Sequence, residues 1–286
     1  MRPSRRYRKR YKKRKTRRLR GGNLPLIEVP FFTERRNKDA PKEIQDIPLV
    51  IYQSWKTRDV PPKMKECIDK LKANNPEFDH YLYSDEDCLK FIQDNFDKSV
   101  VDAFNTLKPG AYKSDLWRYC ILYKLGGVYL DIKFYTTTPL KNLILSYNGV
   151  FVKDIQVSSQ GTGGGCEAGF GIYNGFIISQ PDNNIFKECI DDIVESCRLK
   201  RYKDGFLGIT GPCLLASIIK KYRTQEEIDN IPYSVVPINK ITYNRATIVL
   251  NGNVIAEEYE EYRDEQNKTK QPSYGVLWKN RDVYNE

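Results

Sequence analysis

Between residues 47 and 222, short apolar runs alternate with segments whose apolar residues recur at helical spacing, and this alternation strongly constrains the fold. Residues 49–53 are an apolar run typical of a buried strand, and helical spacing begins after Pro61. Residues 80–83 predict a second strand, and Ser84 predicts the N-cap of a second helix. Repeated strand–helix units predict an α/β fold with a mostly parallel sheet.

The alternation continues through the middle of the chain. Residues 111–125 predict a helix that ends at Gly126-Gly127, and residues 128–132 predict a strand directly after it. Further elements are expected in the C-terminal half: a strand at 170–179, a helix at 183–199, a helix capped by Thr210 and running to Tyr222, and a hairpin at 247–256 around Asn251-Gly252. Antiparallel additions are therefore expected toward the C-terminus.

The formal net charge of +10 comes from one short segment. Residues 2–20 contain 13 of the 47 Lys and Arg and no acid, leaving 34 basic against 37 acidic residues in the remainder, or about −3. Such a segment repels itself and has few apolar residues to bury, so we predict a disordered basic arm over residues 1–22, a linker over 23–46 and one domain over 47–286. The arm is expected to contact a polyanion, with nuclear address, nucleic-acid tether, membrane anchor and solubilising tail as open alternatives.

The lengths of the apolar runs and the spacing of the cysteines restrict the class of protein. The sequence contains no apolar run near the roughly 20 residues that span a bilayer, and no apolar stretch follows the N-terminal charges. We therefore expect a cytoplasmic protein, or a nuclear one through the arm. The seven cysteines have no CxxC spacing, and we predict that Cys67, Cys120 and Cys213 are reduced core residues.

The polar residues within residues 111–133 point to a binding site. Asp115 and Arg118 are three apart on the predicted helix and so share a face, as an ordinary ion pair also would. Alternation along the following strand places Tyr129, Asp131 and Lys133 on one side. Because open α/β sheets bind ligands at the carboxyl ends of their strands, Asp131 is a candidate ligand-binding residue.

This segment, AYKSDLWRYCILYKLGGVYLDIK, resembles the core motif of the DXD-containing sugar-transferase family, which includes yeast initiating mannosyltransferases, inositol-phosphoceramide mannosyltransferases and, more distantly, glucosylating clostridial toxins. Similar blocks occur in the family's order at residues 47–62, 74–87, 173–183 and 210–215. The resemblance implies a GT-A-type, Rossmann-like mixed sheet flanked by helices. It also implies a glycosyltransferase that moves a hexose from a nucleoside-diphosphate sugar to a glycan, glycolipid or protein acceptor with retention of anomeric configuration.

The resemblance assigns catalytic roles to four residues. Asp115 matches a carboxylate that accepts hydrogen bonds from sugar hydroxyls, and Arg118 matches a cation that approaches the sugar and diphosphate. Asp131 matches the first acid of the DXD pair and is the predicted metal ligand, but Lys133 replaces the second acid. Three alternatives stay open. Asp131 alone holds Mn²⁺ or Mg²⁺ with phosphate and water oxygens, Lys133 itself neutralises the β-phosphate, or Lys133 turns to solvent and activity is lost.

Four further residues are predicted to bind the donor. Trp55 matches a tryptophan that stacks on the nucleotide base, with a core aromatic as the alternative. Asn174 matches an asparagine facing the sugar, with a turn residue as the alternative, and Gly175 leaves room for close approach. Tyr129 is expected to line the donor site, and Trp278 is expected to close over it.

Two other features of the sequence suggest no chemistry of their own. His80, the single histidine, is expected to be structural, and the glycine-rich loop at residues 160–165 lacks the ending of a phosphate loop and is expected to be a flap. Two rival functions stay open: a sugar-nucleotide-binding protein with little turnover, and a nucleic-acid-binding protein that acts through the basic arm.

Overall fold

The computed structural model describes residues 25–146, 149–154, 166–203, 205–240, 243–268 and 272–286. The predicted basic arm, residues 1–22, and the glycine-rich loop, residues 160–165, lie outside the described residues. The described residues therefore cover most of the predicted domain and of the linker before it.

The described residues form fourteen strands: β1 (Ile27–Glu28), β2 (Phe32–Thr33), β3 (Glu43–Ile44), β4 (Ile47–Pro48), β5 (Val50–Ser54), β6 (Asp59–Val60), β7 (Asp79–Tyr83), β8 (Gly127–Leu130), β9 (Phe134–Thr136), β10 (Val150–Asp154), β11 (Gly171–Ser179), β12 (Tyr233–Lys240), β13 (Tyr243–Leu250) and β14 (Asn253–Glu258). They also form ten helices: α1 (Pro62–Asn74), α2 (Asp85–Asn95), α3 (Lys98–Thr106), α4 (Gly110–Leu125), α5 (Leu140–Ser146), α6 (Asn184–Arg198), α7 (Pro212–Tyr222), α8 (Gln225–Asp229), α9 (Tyr262–Asn267) and α10 (Tyr274–Lys279). None of these helices has both the length and the apolar composition that a bilayer crossing requires.

Ten of these strands form one sheet in the order β2-β7-β5-β8-β11-β10-β12-β13-β14-β9. Strand β5 pairs in parallel with β7 and β8, and β10 pairs in parallel with β12, whereas the other six pairs described in this sheet are antiparallel. The mixed sheet flanked by helices is confirmed, but the expectation of a mostly parallel sheet is wrong. Hairpins rather than crossover helices connect β12, β13 and β14, and a hairpin joins antiparallel strands.

Short-range signals fixed several element boundaries. Helix α1 begins at Pro62, and Ser84 caps α2 through a capping box with Asp87. The turn between β13 and β14 has φ of 48° at Asn251 and 82° at Gly252. Two consecutive positive φ values are those of a type I′ hairpin turn, as the Asn-Gly pair predicted.

The two faces of the sheet bury different side chains of β8. Tyr129 belongs to the core cluster that contains residues of α2, α3, α4, α6 and α7, while Val128 and Leu130 belong to a second cluster. The predicted alternation along this strand is therefore confirmed. Because Asp131 directly follows β8, the chain leaves the sheet core there and reaches the edge where the site lies.

The cysteines follow the prediction only in part. Cys67 and Cys120 are buried and reduced, as expected. The prediction for Cys213 is wrong, because this residue forms a disulfide with Cys166, 47 positions away along the chain. Cys213 lies in the first turn of α7, and only the packing of α7 against β11 brings these two segments together.

Candidate active site

Helix α4 buries two charged side chains in the centre of the domain. Asp115 is 8% exposed and Arg118 is 5% exposed, and Arg118 Nη2 lies 3.2 Å from Asp115 Oδ1. Apolar residues cover nearly the whole circumference of α4, so both charges sit in a setting that tolerates them only when they are paired. The two residues share a helix face, as their spacing predicted.

A tight turn sets β8 against the end of α4. Gly126 ends the helix with φ of 63°, and a Cβ built there would lie 2.6 Å from the Pro181 backbone nitrogen. Asp131 follows β8 at the carboxyl end of the parallel β5–β8 pair, and its N–H donates to the carbonyl of Gly175 at 2.8 Å. The sheet therefore presents the Asp131 carboxylate beside α4.

The Asp131 carboxylate is the meeting point of four side chains. Its Oδ1 accepts a hydrogen bond from the Tyr129 hydroxyl at 3.0 Å and lies 3.5 Å from Arg118 Nη2. Its Oδ2 accepts from the Tyr173 hydroxyl at 3.2 Å and lies 3.2 Å from Lys133 Nζ. Arg118 thus lies beside Oδ1 of Asp131, and Lys133 lies beside Oδ2. Tyr129, Asp131 and Lys133 lie together, as the alternation predicted.

Asn174 on β11 joins the helix residues to the strand. Its Nδ2 donates to Asp115 Oδ1 at 3.0 Å and to the Tyr119 hydroxyl at 3.2 Å, and its carbonyl accepts from Arg118 Nη1 at 2.7 Å. A Cβ at Gly175 would lie 2.5 Å from Asp131 Oδ2, so Gly175 accommodates the carboxylate itself. The sugar-facing role of Asn174 stays a prediction, and its described contacts make it an organiser of the network.

Three members of this network, Thr210, Tyr119 and Tyr173, were not predicted from the sequence. Thr210 was expected to cap α7, but the N-cap is Gly211, and the Thr210 hydroxyl donates to Asp115 Oδ2 at 2.7 Å. The Tyr119 hydroxyl donates to the carbonyl of Thr210 at 3.0 Å. Tyr119 lies four residues after Asp115, so helical spacing offered a signal for it. Thr210 and Tyr173 gave no local signal, because their partners Asp115 and Asp131 lie 95 and 42 positions away along the chain.

Interactions between neighbouring charges keep Asp131 and Lys133 in their charged forms. Burial works against the ionised form of Asp131, but Lys133 and Arg118 outweigh it and lower the pKa of this carboxyl. Burial also works against the charged form of Lys133, yet Tyr173 and Asp131 hold the pKa of its ammonium well above the usual range. Burial raises the pKa of Asp115, and Arg118 offsets this only in part. The site thus contains two cations beside a firmly ionised Asp131.

The four charged side chains differ in depth. The side chains of Arg118 and Asp115 are 6% and 11% exposed, whereas those of Lys133 and Asp131 are 18% and 23% exposed. The Arg118–Asp115 pair therefore forms the floor of the site. Lys133 and Asp131 lie nearer the solvent, where a ligand would arrive first.

Trp55 lies beside this network without touching the carboxylates in the described contacts. It directly follows β5, whose last residue, Ser54, has its Oγ 2.9 Å from Ser114 Oγ. Ser114 Oγ in turn accepts from Arg118 Nη2 at 3.1 Å. The Trp55 indole Nε1 is buried and has no hydrogen-bond partner among the described residues. The base-stacking role of Trp55 stays a prediction that this position supports.

The C-terminal helix α10 carries two aromatic residues that pack toward the core around α4. Trp278 packs against the core cluster around α4, with the Arg281 guanidinium 5.8 Å from its ring. Tyr274, at the start of α10, has its ring 6.0 Å from that of Tyr112 on α4. Burial, followed by the charge of Asp115, raises the pKa of Tyr274. Tyr274 is thus the α10 residue within electrostatic reach of the site, and the lid role of Trp278 stays a prediction.

The donor set around Asp131 does not fit a resident divalent cation. Mg²⁺ and Mn²⁺ sites are built from several oxygen ligands, whereas both oxygens of Asp131 already face donors, one of them the Lys133 ammonium. In the part of the chain that the structure describes, no group of three or more His, Cys, Asp or Glu is placed to hold a metal ion. The Mn²⁺ or Mg²⁺ at Asp131 stays a prediction that this arrangement does not favour.

The site's residues fall within a recognised family segment. Residues 61–150 match the family model described as the glycosyltransferase sugar-binding region containing the DXD motif. This range contains Asp115, Arg118, Tyr129, Asp131 and Lys133. This segment is therefore similar to the sugar-binding region of the DXD glycosyltransferases, and the resemblance drawn from the sequence is confirmed.

Individual proteins are similar to this chain over part of its length. The chain is 28% identical over 204 residues to a mannosyl phosphorylinositol ceramide synthase of Saccharomyces cerevisiae, covering 69% of this chain and 48% of that protein. It is 34% identical over 123 residues to an inositol phosphoceramide mannosyltransferase of Schizosaccharomyces pombe, covering 39% and 33%. It also resembles the solved PaToxG glycosyltransferase, with TM-score 0.42 and 16% identity over 64% of this chain and 73% of that chain. The chain spans about half or less of the length of these two curated relatives.

Proposed function

We propose that this protein is a glycosyltransferase that moves a hexose from a nucleoside-diphosphate sugar to an acceptor hydroxyl. One observation carries the proposal: Arg118 lies within 3.5 Å of both Asp115, on the same helix, and Asp131, at the end of the adjacent strand, in a chain segment that matches the sugar-binding region. Carboxylates accept hydrogen bonds from sugar hydroxyls, and guanidinium donors suit phosphate oxygens. Both types of group are needed to hold a sugar diphosphate.

In the proposed reaction, the bond between the anomeric carbon and the β-phosphate oxygen breaks, and its electron pair stays on that oxygen. The acceptor hydroxyl oxygen forms the new bond to the anomeric carbon, and its proton leaves toward the departing phosphate. The products are the glycosylated acceptor and the nucleoside diphosphate. Arg118 and Lys133 stabilise the developing phosphate charge, and Asp115 holds the sugar hydroxyls.

The finer parts of the proposal rest on the relatives. Mannose is the first donor sugar to test, because the similar yeast proteins are named as mannosyltransferases or as a mannosyl phosphorylinositol ceramide synthase. Retention of anomeric configuration and a glycan, glycolipid or protein acceptor are proposed from the resemblance to the DXD family. Polyanion binding by residues 2–20 and a cytoplasmic or nuclear location stay proposals from composition.

A panel of nucleoside-diphosphate hexoses tests the proposal by thermal denaturation, followed by detection of released nucleoside diphosphate. We expect at least one donor to stabilise the folded protein, by about 2.7 kcal/mol at a hundredfold excess over its dissociation constant. Asp115→Asn should lower turnover about tenfold to hundredfold, as loss of a charged hydrogen bond does.

The matched control is Asp102→Asn, because Asp102 is an exposed acid on α3 that pairs with Lys98. This change should leave donor binding and turnover as in the unmodified protein. Absence of stabilisation by every donor would refute the proposed function. Stabilisation without any turnover would instead identify a sugar-nucleotide-binding protein.

A further inference from the structure

Lys133 occupies the position at which the DXD motif has its second acid, and the fold holds it in a defined place. Its Nζ lies 3.2 Å from Asp131 Oδ2. The same atom lies 5.4 Å from the ring centroid of Phe134, 5.7 Å from that of Tyr173 and 5.6 Å from that of Tyr262. Three aromatic rings and a carboxylate therefore position the ammonium. A lysine that merely turned toward solvent would not be enclosed in this way.

The charge of the site supports a specific reason for this substitution. Two carboxylates and one divalent cation sum to zero, and so do Asp131 and the Lys133 ammonium without a metal. Replacing an acid by a lysine changes the formal charge by two units, which equals the charge of the cation that a pair of acids would hold. The site thus supplies from its own side chains the positive charge that a DXD pair obtains from a bound ion.

The Lys133 ammonium shares one carboxylate with a second cation. Lys133 Nζ lies 3.2 Å from Asp131 Oδ2. Arg118 Nη2 stands on the other side of Asp131 at 3.5 Å. Two cations therefore flank one carboxylate. A negatively charged diphosphate can bridge two cations placed in this way.

Resting on the proposed glycosyl transfer, we propose that Lys133 is a built-in cation that binds the donor diphosphate in place of a divalent metal, so that donor binding is independent of metal. When the anomeric carbon–oxygen bond breaks, the electron pair stays on the β-phosphate oxygen, where the Lys133 ammonium donates a hydrogen bond to it. Lys133 is then a catalytic residue. Arg118 supplies the second set of donors from the floor of the site.

Isothermal titration calorimetry with GDP and with UDP, in EDTA and in Mn²⁺, tests the proposal on the full chain. The unmodified protein should bind the preferred nucleotide with similar affinity in the two buffers, with dissociation constants that agree within about threefold. This is expected because Lys133, and not a metal ion, binds the diphosphate. Lys133→Met, which keeps the length and apolar stem, should weaken binding at least about tenfold in both buffers. Lys133→Arg should restore most of the affinity, because it restores the charge.

Lys133→Asp provides a readout that a structural lysine would not give. This variant recreates the Asp-x-Asp pair, so nucleotide binding should become dependent on Mn²⁺, and electron paramagnetic resonance should detect one bound Mn²⁺. Lys153→Ala is the matched control, because Lys153 is partly buried and lies 3.5 Å from Asp229. The control should bind nucleotide like the unmodified protein in both buffers. Thermal unfolding of each variant verifies that it is folded.

The outcomes separate this inference from the function on which it rests. A requirement for Mn²⁺ in the unmodified protein overturns the role of Lys133 and leaves the glycosyltransferase proposal standing. Unchanged affinity in folded Lys133→Met also overturns it and identifies Lys133 as structural. Binding of neither nucleotide by the folded unmodified protein, in either buffer, overturns the role of Lys133, and absence of stabilisation by every donor of the panel overturns the glycosyltransferase proposal as well.

Discussion

His80, the single histidine of the chain, is held neutral within the sheet. It lies on β7, where its Nε2 is 2.9 Å from Gln53 Oε1, and its Nδ1 has no hydrogen-bond partner among the residues described. Burial, followed by the charge of Lys72, lowers the pKa of His80 to about 3. These contacts agree with the structural role expected of it, since no described contact joins it to the carboxylates of the site.

The depressed pKa of His80 makes stability depend on pH. Between the unfolded value of about 6.5 and the folded value of about 3, the unfolded chain binds the proton and the folded chain does not, so stability falls as pH falls. At pH 5 the loss relative to pH 8 should be about 2 kcal/mol from this residue. Urea denaturation between pH 8 and pH 5 measures it. Folded His80→Gln should lack this dependence, and an unchanged slope in that variant would contradict the assignment.

Single residues also show where local sequence is informative. Asp115 and Arg118 were found from spacing on one helix, and Asp131 from its place at a strand end. Thr210 was misassigned as a cap because its own neighbours fit that role equally well. A threonine hydroxyl has many possible partners, and only the position of α7 beside α4 makes Asp115 the one that it meets.

At the scale of elements, the turn at Gly126 fixes how β8 leaves α4, and with it the position of Asp131 relative to Arg118. Gly126→Ala would combine a positive φ with a Cβ 2.6 Å from the Pro181 backbone nitrogen. We expect a loss of about 3 kcal/mol or more in the free energy of unfolding, from left-handed strain and overpacking together. Chemical denaturation monitored by circular dichroism measures this loss.

Gly252→Ala is the matched control for the turn. Gly252 also has a positive φ, of 82°, but a Cβ there meets nothing within 4 Å. The control should lose only about 1 kcal/mol from backbone strain. Equal losses in the two variants would show that the contact with Pro181 does not restrain the turn.

Across distant parts of the fold, the Cys166–Cys213 disulfide ties the segment before β11 to the start of α7, which directly follows Thr210 and Gly211. In the chain-entropy description, closing a loop of this length contributes about 4 kcal/mol. Cys166→Ser with Cys213→Ser should lose stability of that order in urea denaturation.

The thiol count provides a direct measure of the disulfide. Alkylation of the unfolded, unreduced protein should modify five of the seven cysteines, since these five are reduced and the other two form the disulfide. Modification of all seven would contradict the disulfide. Because disulfides persist mainly in oxidising compartments, the same count on protein trapped in cells also tests the predicted cytoplasmic location.

Local sequence patterns were sufficient to predict the elements whose signals are short in range. Alternating strand and helix patterns, the Ser84 cap and the Asn-Gly turn each depend on interactions between residues a few positions apart, so the α/β class and most boundaries were predictable. The resemblance within residues 111–133 further identified the segment that carries the site. Lys133 was also visible in the sequence, but three different roles were open to it.

Three features became visible only in the folded chain: the strand directions in the sheet, the pairing of Cys213 and the surroundings of Lys133. Each of these depends on contacts between segments far apart in the chain, such as Tyr262 beside Lys133 and Tyr173 beside Asp131. Local propensity does not encode such contacts, because the free energy that selects them comes from burying many side chains at once. The aromatic enclosure of Lys133 is accordingly a property of the folded chain.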